Sequence, residues 1–214
     1  MDRLPRGRHG LSPEYVAQNQ RERLIAGLTQ ALYEVGYPRT TVSLIGQRAA
    51  VSKSDFYKHF ESKDDCFIVA YDLAVERVRG HVLAACEGAQ GTDWPARIRL
   101  GITALLKLLS ADPPLASIVL VEGLRAGRDI YDRYQAAVEL FVGDLRAGSP
   151  SGPGGSEVPE AIDEAVVGGV ASMLGRRVLA GEAEQLEQLF PEILEFILAA
   201  YLGAEEARRI ISAG

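Results

Sequence analysis

Apolar residues recur at three- and four-residue intervals along nearly the whole of this chain, and alternating β-rich runs bounded by turn residues are missing. That spacing lines one stripe of a helix, which must be buried against other helices, so an all-α fold is expected. Helix starts are marked as clearly as helix faces. Ser12 precedes Pro13, a capping residue followed by proline at the first helical position, and Ile25, Leu28, Leu32 and Val35 carry the stripe on to Gly36. Ser52-Lys53-Ser54-Asp55 and Ser62-Lys63-Asp64-Asp65 each have the serine-to-acid spacing of a capping box. The first opens a short helix with Phe56 and Phe60 on its apolar face, and the second opens a long helix reaching about residue 88. Further helices are expected over about 93–110, 113–126, 129–147, 159–180 and 183–202, with a tail helix over 205–212. The Gly, Ser and Pro residues of 148–156 read as a linker.

At 214 residues and 47% hydrophobic composition, the chain can bury a core without disulfides or metal. No run approaches the roughly 18 apolar residues of a membrane span, so no membrane partner is expected. The first ten residues hold charges and no apolar stretch, so no secretory signal is expected there. Cys66 and Cys86 fall on one expected helix. At about 1.5 Å per residue they lie near 30 Å apart, beyond the roughly 7 Å a disulfide allows. Free thiols suit a reducing cytoplasm, and neither cysteine belongs to a Cys/His cluster, so neither a metal nor a cofactor is expected. Charge is divided unevenly: residues 1–60 carry nine basic and five acidic side chains, a net +4, and residues 61–214 carry a net −10. A basic head suits a polyanion partner, although a chance fluctuation of a few charges fits the numbers as well.

The informative stretch is 36–67. Two short helices flank Ala49-Ala50-Val51-Ser52, and the first, with Val42, Ile45 and Ala49 on one face, is too short to stand alone. It must pack on the helix before it and on Phe56 and Phe60, which makes a three-helix unit of helix-turn-helix type. In such a unit the second helix of the motif enters the major groove of double-stranded DNA. Its outward positions here are Lys53, Ser54, Tyr57, Lys58 and His59, two cations for phosphates and donors able to reach phosphate or base edges. Thr41 and Ser52 stand at helix starts, where unpaired amides favour anions.

Thr40-Thr41-Val42, Ile45 and the run Ala49-Ala50-Val51-Ser52-Lys53-Ser54-Asp55-Phe56-Tyr57-Lys58-His59-Phe60-Glu61-Ser62-Lys63-Asp64-Asp65 together resemble the DNA-binding signature of TetR-type (tetracycline-repressor-like) transcriptional regulators. The resemblance implies a helix-turn-helix DNA-binding domain over 12–61 and a helical ligand-binding and dimerisation domain over 62–214, preceded by a basic arm over 1–11. It implies a cytoplasmic homodimer, not an enzyme, that binds a palindromic operator as a repressor and releases it when a small-molecule effector enters the C-terminal domain. It also places Lys63 near the DNA backbone. Two departures stand out. Ala50 occupies a turn position where the family usually has glycine, so a left-handed backbone there would cost about 1 kcal/mol or more. Ser54-Asp55 replaces the common Gly-Thr, and Asp55 is read as a cap.

Arg3, Arg6, Arg8 and His9 form either a minor-groove arm or a solubilising tail. Tyr71, His81, Trp94, Arg97, Tyr131, Tyr134 and Met173 are candidate effector-lining residues, with plain core as the competing reading of each. Val166, Gly169, Val170, Leu189, Ile193, Phe196 and Ile197 are candidates for a dimer interface of two helices per subunit, or for packing within one subunit. The alternative class is a helical small-molecule-binding protein or enzyme whose N-terminal motif is only structural. No phosphate loop, HExxH, catalytic triad or paired-carboxylate motif supports it.

Overall fold

The computed structural model describes residues 12–87, 93–147 and 159–213. The arm residues Arg3, Arg6, Arg8 and His9, and the 148–156 run, lie outside the described residues. Ten α-helices and no strand occur among those described.

The head is built as its caps dictate. Helix α1 (Pro13–Val35) starts where the Ser12 hydroxyl accepts from the Tyr15 amide. A 3₁₀ turn, Tyr37–Arg39, leads to α2 (Val42–Ala49), capped by Thr41 on the Leu44 amide. Helix α3 (Lys53–Phe56) is a single α-helical turn opened by Ser52 on the Asp55 amide; tighter i→i+3 bonds carry it on to His59. The buried residues of α1 are Asn19, Leu24, Gly27, Leu28, Ala31 and Leu32, so its interior stripe is turned slightly from the expected one: Ile25 and Val35 are only half-buried. Gly27 is the point of closest approach to α2, where a Cβ would stand 2.9 Å from both the Ile45 carbonyl oxygen and the Ala49 nitrogen.

The body comprises α4 (Lys63–Glu87), α5 (Trp94–Ala111), α6 (Pro113–Leu120), α7 (Arg128–Arg146), α8 (Glu160–Leu179), α9 (Phe190–Leu202) and α10 (Ala204–Ala213). Residues 115–120 of α6 are all buried, and this short helix is the strut against which α1, α4, α5 and α8 pack. It ends earlier than expected, giving way to a 3₁₀ turn over Glu122–Leu124. The expected helix over 183–202 is likewise split into a 3₁₀ run, Ala183–Leu189, and α9, because Pro191 has no amide to continue the ladder. Asp163, fully buried at the start of α8, accepts from Arg146 at the end of α7 and from the Tyr201 hydroxyl of α9, pinning three helices together. One apolar cluster runs from Leu24, Phe56 and Phe60 in the head through Phe67 and Ile118 to Ile197 and Tyr201.

The expected interface residues need correcting. Val166, Val170, Leu189, Ile193 and Ile197 are each less than a tenth exposed within this single chain. The apolar face of α9 is wide because it covers the subunit's own interior. Of the set, Phe196 alone is exposed, at 38%, with its ring lying over Gly169. No single helix among the described residues is long and apolar enough to cross a membrane.

Candidate nucleic-acid interface and effector cavity

The outer face of the head is polar and concave. Ser43, Gly46, Gln47, Ala50, Val51, Ser52 and Lys53 line a surface hollow of about 410 Å³ between α2 and α3. Beside it Ser54, Tyr57 and Lys58 are exposed, Tyr57 by 52%. Thr41 is exposed too. Thr41, Ser52, Lys53, Ser54, Tyr57 and Lys58 are thus all accessible. Ser43 and Gln47 join them from α2. Their signal was available, since they stand four apart and opposite the buried Ile45 and Ala49.

Phe56 and Phe60 are core, their centroids 5.6 Å apart. Asp55 acts as the cap: it accepts from the Ser52 hydroxyl at 2.7 Å and from Lys58 at 2.7 Å. The Lys58 hydrogen bond, then the Ser52 one, holds its carboxyl below the usual carboxylate range. Lys58 thus has part of its charge already paired, whereas Lys53 makes no ion pair among the described residues.

Two expected contacts are turned inward. His59 is half-buried and its Nε2 lies 3.2 Å from the Gln20 side-chain oxygen; burial lowers its pKa, which favours a neutral ring. Lys63 donates to the Tyr37 carbonyl at 3.1 Å and stands 3.7 Å over the centre of that ring, so its ammonium is held by the protein.

The turn between α2 and α3 carries the predicted strain. Ala50 is the one non-glycine residue with positive φ among those described, at φ 51° and ψ 44°. Arg23 of α1 holds it from below, donating to the carbonyls of Ala49 and Ala50, the latter at 2.8 Å. A second clamp, the bidentate Arg48–Glu34 pair at 2.6–3.1 Å, ties α2 to α1. Sequence reasoning missed both clamps, because each joins residues at least fourteen positions apart.

The body holds a partly open cavity of about 210 Å³ lined from α4, α5, α6, α7, α8 and α9. Of the expected lining residues, Tyr71, Trp94, Arg97 and Tyr134 reach it. The other three do not: His81 and Tyr131 face solvent, and Met173 packs against the core elsewhere. Most of the wall is aliphatic, including Val78, Ile102, Leu105, Val119 and Leu174. Of its charged residues, Asp144 is paired with Arg79 at 2.6–2.7 Å, while Arg97 donates to the Ala147 carbonyl at 3.0 Å and has no carboxylate partner among the described residues. The buried Trp94 indole N–H has no partner among the described residues. Cys86 lines the cavity with a thiol whose pKa burial raises, and burial pushes the Cys66 thiol up to about 12, which disfavours the thiolate at both. No cluster of three or more His, Cys, Asp or Glu side chains that could hold a metal occurs among the described residues.

A polar helix turn presented beside a capped, clamped partner helix is the helix-turn-helix arrangement that DNA-binding proteins place in the major groove. Residues 24–70 match the family of bacterial regulatory proteins of the tetR type, so the head resembles the DNA-binding domain of that family. An uncharacterised HTH-type transcriptional regulator of Mycobacterium tuberculosis is 24% identical over 190 residues, 85% of this chain and 96% of the relative. Two solved structures share the fold. The fatty acid degradation regulator FadR of Bacillus halodurans superposes with a TM-score of 0.71 at 18% identity, over 89% of this chain and 97% of that one. FadR of Bacillus subtilis, solved with stearoyl-CoA, gives 0.67 at 19% identity, over 84% and 98%.

Proposed function

We propose that the chain is a homodimeric repressor whose two heads, each within 12–61, bind the half-sites of a palindromic operator in the cytoplasm, and that a small apolar molecule entering the cavity within 62–214 releases it. The observation that carries this reading is the presence of accessible donors on α2 and α3 and of an apolar cavity in the same subunit. Arg6 and Arg8 would add minor-groove contacts. The dimer would form through the outer faces of α8 and α9, where Ala165, Ser172, Leu179 and Phe196 are exposed and a Cβ on Gly168 would meet nothing within 4 Å. At about 210 Å³ the cavity is below the roughly 300 Å³ where sites for drug-sized ligands begin. The effector is therefore small or inserts only one end, and the mostly aliphatic wall suits an apolar end. The acyl thioester bound by the Bacillus subtilis relative makes a long-chain acyl-CoA the first compound to test.

Selection of bound sequences from random duplex DNA tests the reading. A palindrome with half-sites one or more helical turns apart is the expected result. Enrichment of no sequence, or of a single unrepeated half-site, overturns it.

A further inference from the structure

We propose that Tyr37 is the relay through which occupancy of the cavity reaches the DNA-binding head, with Glu122 and Gly123 as its positioning residues. The proposal rests on the reading of the cavity as an effector site and names how that site is coupled.

Two independent routes start at Tyr71, which lines the cavity and is 1% exposed. The first is a train of rings. Tyr71 stacks on Phe67 with centroids 6.0 Å apart, and Phe67 meets Tyr37 edge-to-face at 5.4 Å. The second runs through backbone. The Tyr71 ring lies so close to Gly123 that a Cβ there would stand 2.8 Å from its Cε2 atom. No slack remains between them, so a ring driven away from the cavity on that side moves the Glu122–Leu124 turn. The neighbouring Glu122, 2% exposed, accepts from the Tyr37 amide at 2.7 Å. Its second oxygen faces Arg125 at 3.9 Å, so the Tyr37 amide is its short-range partner.

Tyr37 is well placed to pass the displacement on. It opens the 3₁₀ turn between α1 and α2, its hydroxyl donates to Asp64 at the start of α4, and Lys63 sits on its ring and carbonyl. Four residues later Thr41 caps α2, the helix that supports α3. A shift at Tyr37 therefore changes the seat of α2 and, through the Ala50 turn, the presentation of Lys53 and Tyr57.

A substitution can impose the push without any effector. In the full chain, Gly123→Ala forces the Tyr71 ring and the 122–124 turn apart. It is expected to speed hydrogen exchange of the Tyr37 amide about tenfold or more, while the Ile45 amide, bonded within the head to Thr41, keeps its rate. Affinity for the selected duplex is expected to fall about fivefold or more. Adding Tyr71→Leu, which removes the ring edge, should return both readouts to the level of Tyr71→Leu alone. An unchanged Tyr37 exchange rate in Gly123→Ala, or a double variant no better than Gly123→Ala, overturns the relay. Should Gly123→Ala not fold, Glu122→Ala removes the acceptor and leaves the ring contact. Loss of duplex affinity with the wild-type circular dichroism spectrum supports the relay, and unaltered affinity overturns it. Exchange at Tyr37 needs no DNA, so a wild-type chain that binds no duplex would count against the operator reading while exchange still judges the relay.

Discussion

Ala50 sits in a left-handed turn that L-residues other than glycine avoid, at a cost of about 1–2 kcal/mol. Arg23 compensates by fastening both carbonyls of the turn. Ala50→Gly should release the strain and return part of it as unfolded-chain entropy, leaving a net gain of about 0.5–1 kcal/mol. For a chain of this length that corresponds to a rise of roughly 2 °C in Tm, to be read from a thermal melt. A lower melting temperature would mean the turn is not strained. Glu122 shows the opposite condition, a carboxyl that burial raises above its usual pKa although the Tyr37 amide and Arg125 pull it down. A buried acid kept for one backbone contact is what a joint between two parts of a molecule requires, because it holds one geometry and is lost with it.

At the scale of elements, α3 presents exposed donors and α2 packs beside it. Lys53, at the start of α3, makes no ion pair among the described residues, and Lys58 shares its charge with Asp55. Lys53→Ala is expected to lower the slope of log affinity against log salt by about 0.9, the signature of one lost phosphate contact. An unchanged slope removes Lys53 from the phosphates. These elements were legible in the sequence because their causes are local. Ser12, Thr41, Ser52 and Ser62 cap neighbouring amides, and Phe56 and Phe60 repeat at helical spacing. The inward turn of Lys63 was not legible, since its partner Tyr37 is 26 residues away. The seat of Glu122 was hidden for the same reason, its contact with Tyr37 spanning 85 positions. In the body, periodicity identified Ile193 and Ile197 as apolar but could not say which neighbour they face. Tyr131, Tyr134, His81 and Trp94 divided between surface and cavity by tertiary placement alone.

For the whole molecule, the burial of Val166, Val170, Ile193 and Ile197 moves any self-association to the residues left outside. Phe196 and Leu179 are the large apolar residues exposed on α8 and α9, and Glu at 196 would place a charge between two subunits joined there. Phe196→Glu is expected to sediment as a monomer where the unaltered chain sediments as a dimer. A dimer that persists in the variant locates the contact elsewhere. The single apolar cluster reaching from Leu24 to Ala207 carries a consequence for engineering. Domains that can be exchanged as cassettes are joined by exposed linkers that few contacts cross. Here a cut after residue 61 would strip Phe67, Tyr71 and Ile118 of their cover. Chimeras grafting this reader onto a foreign sensor would have to carry the first turns of α4 and the 122–124 turn with it.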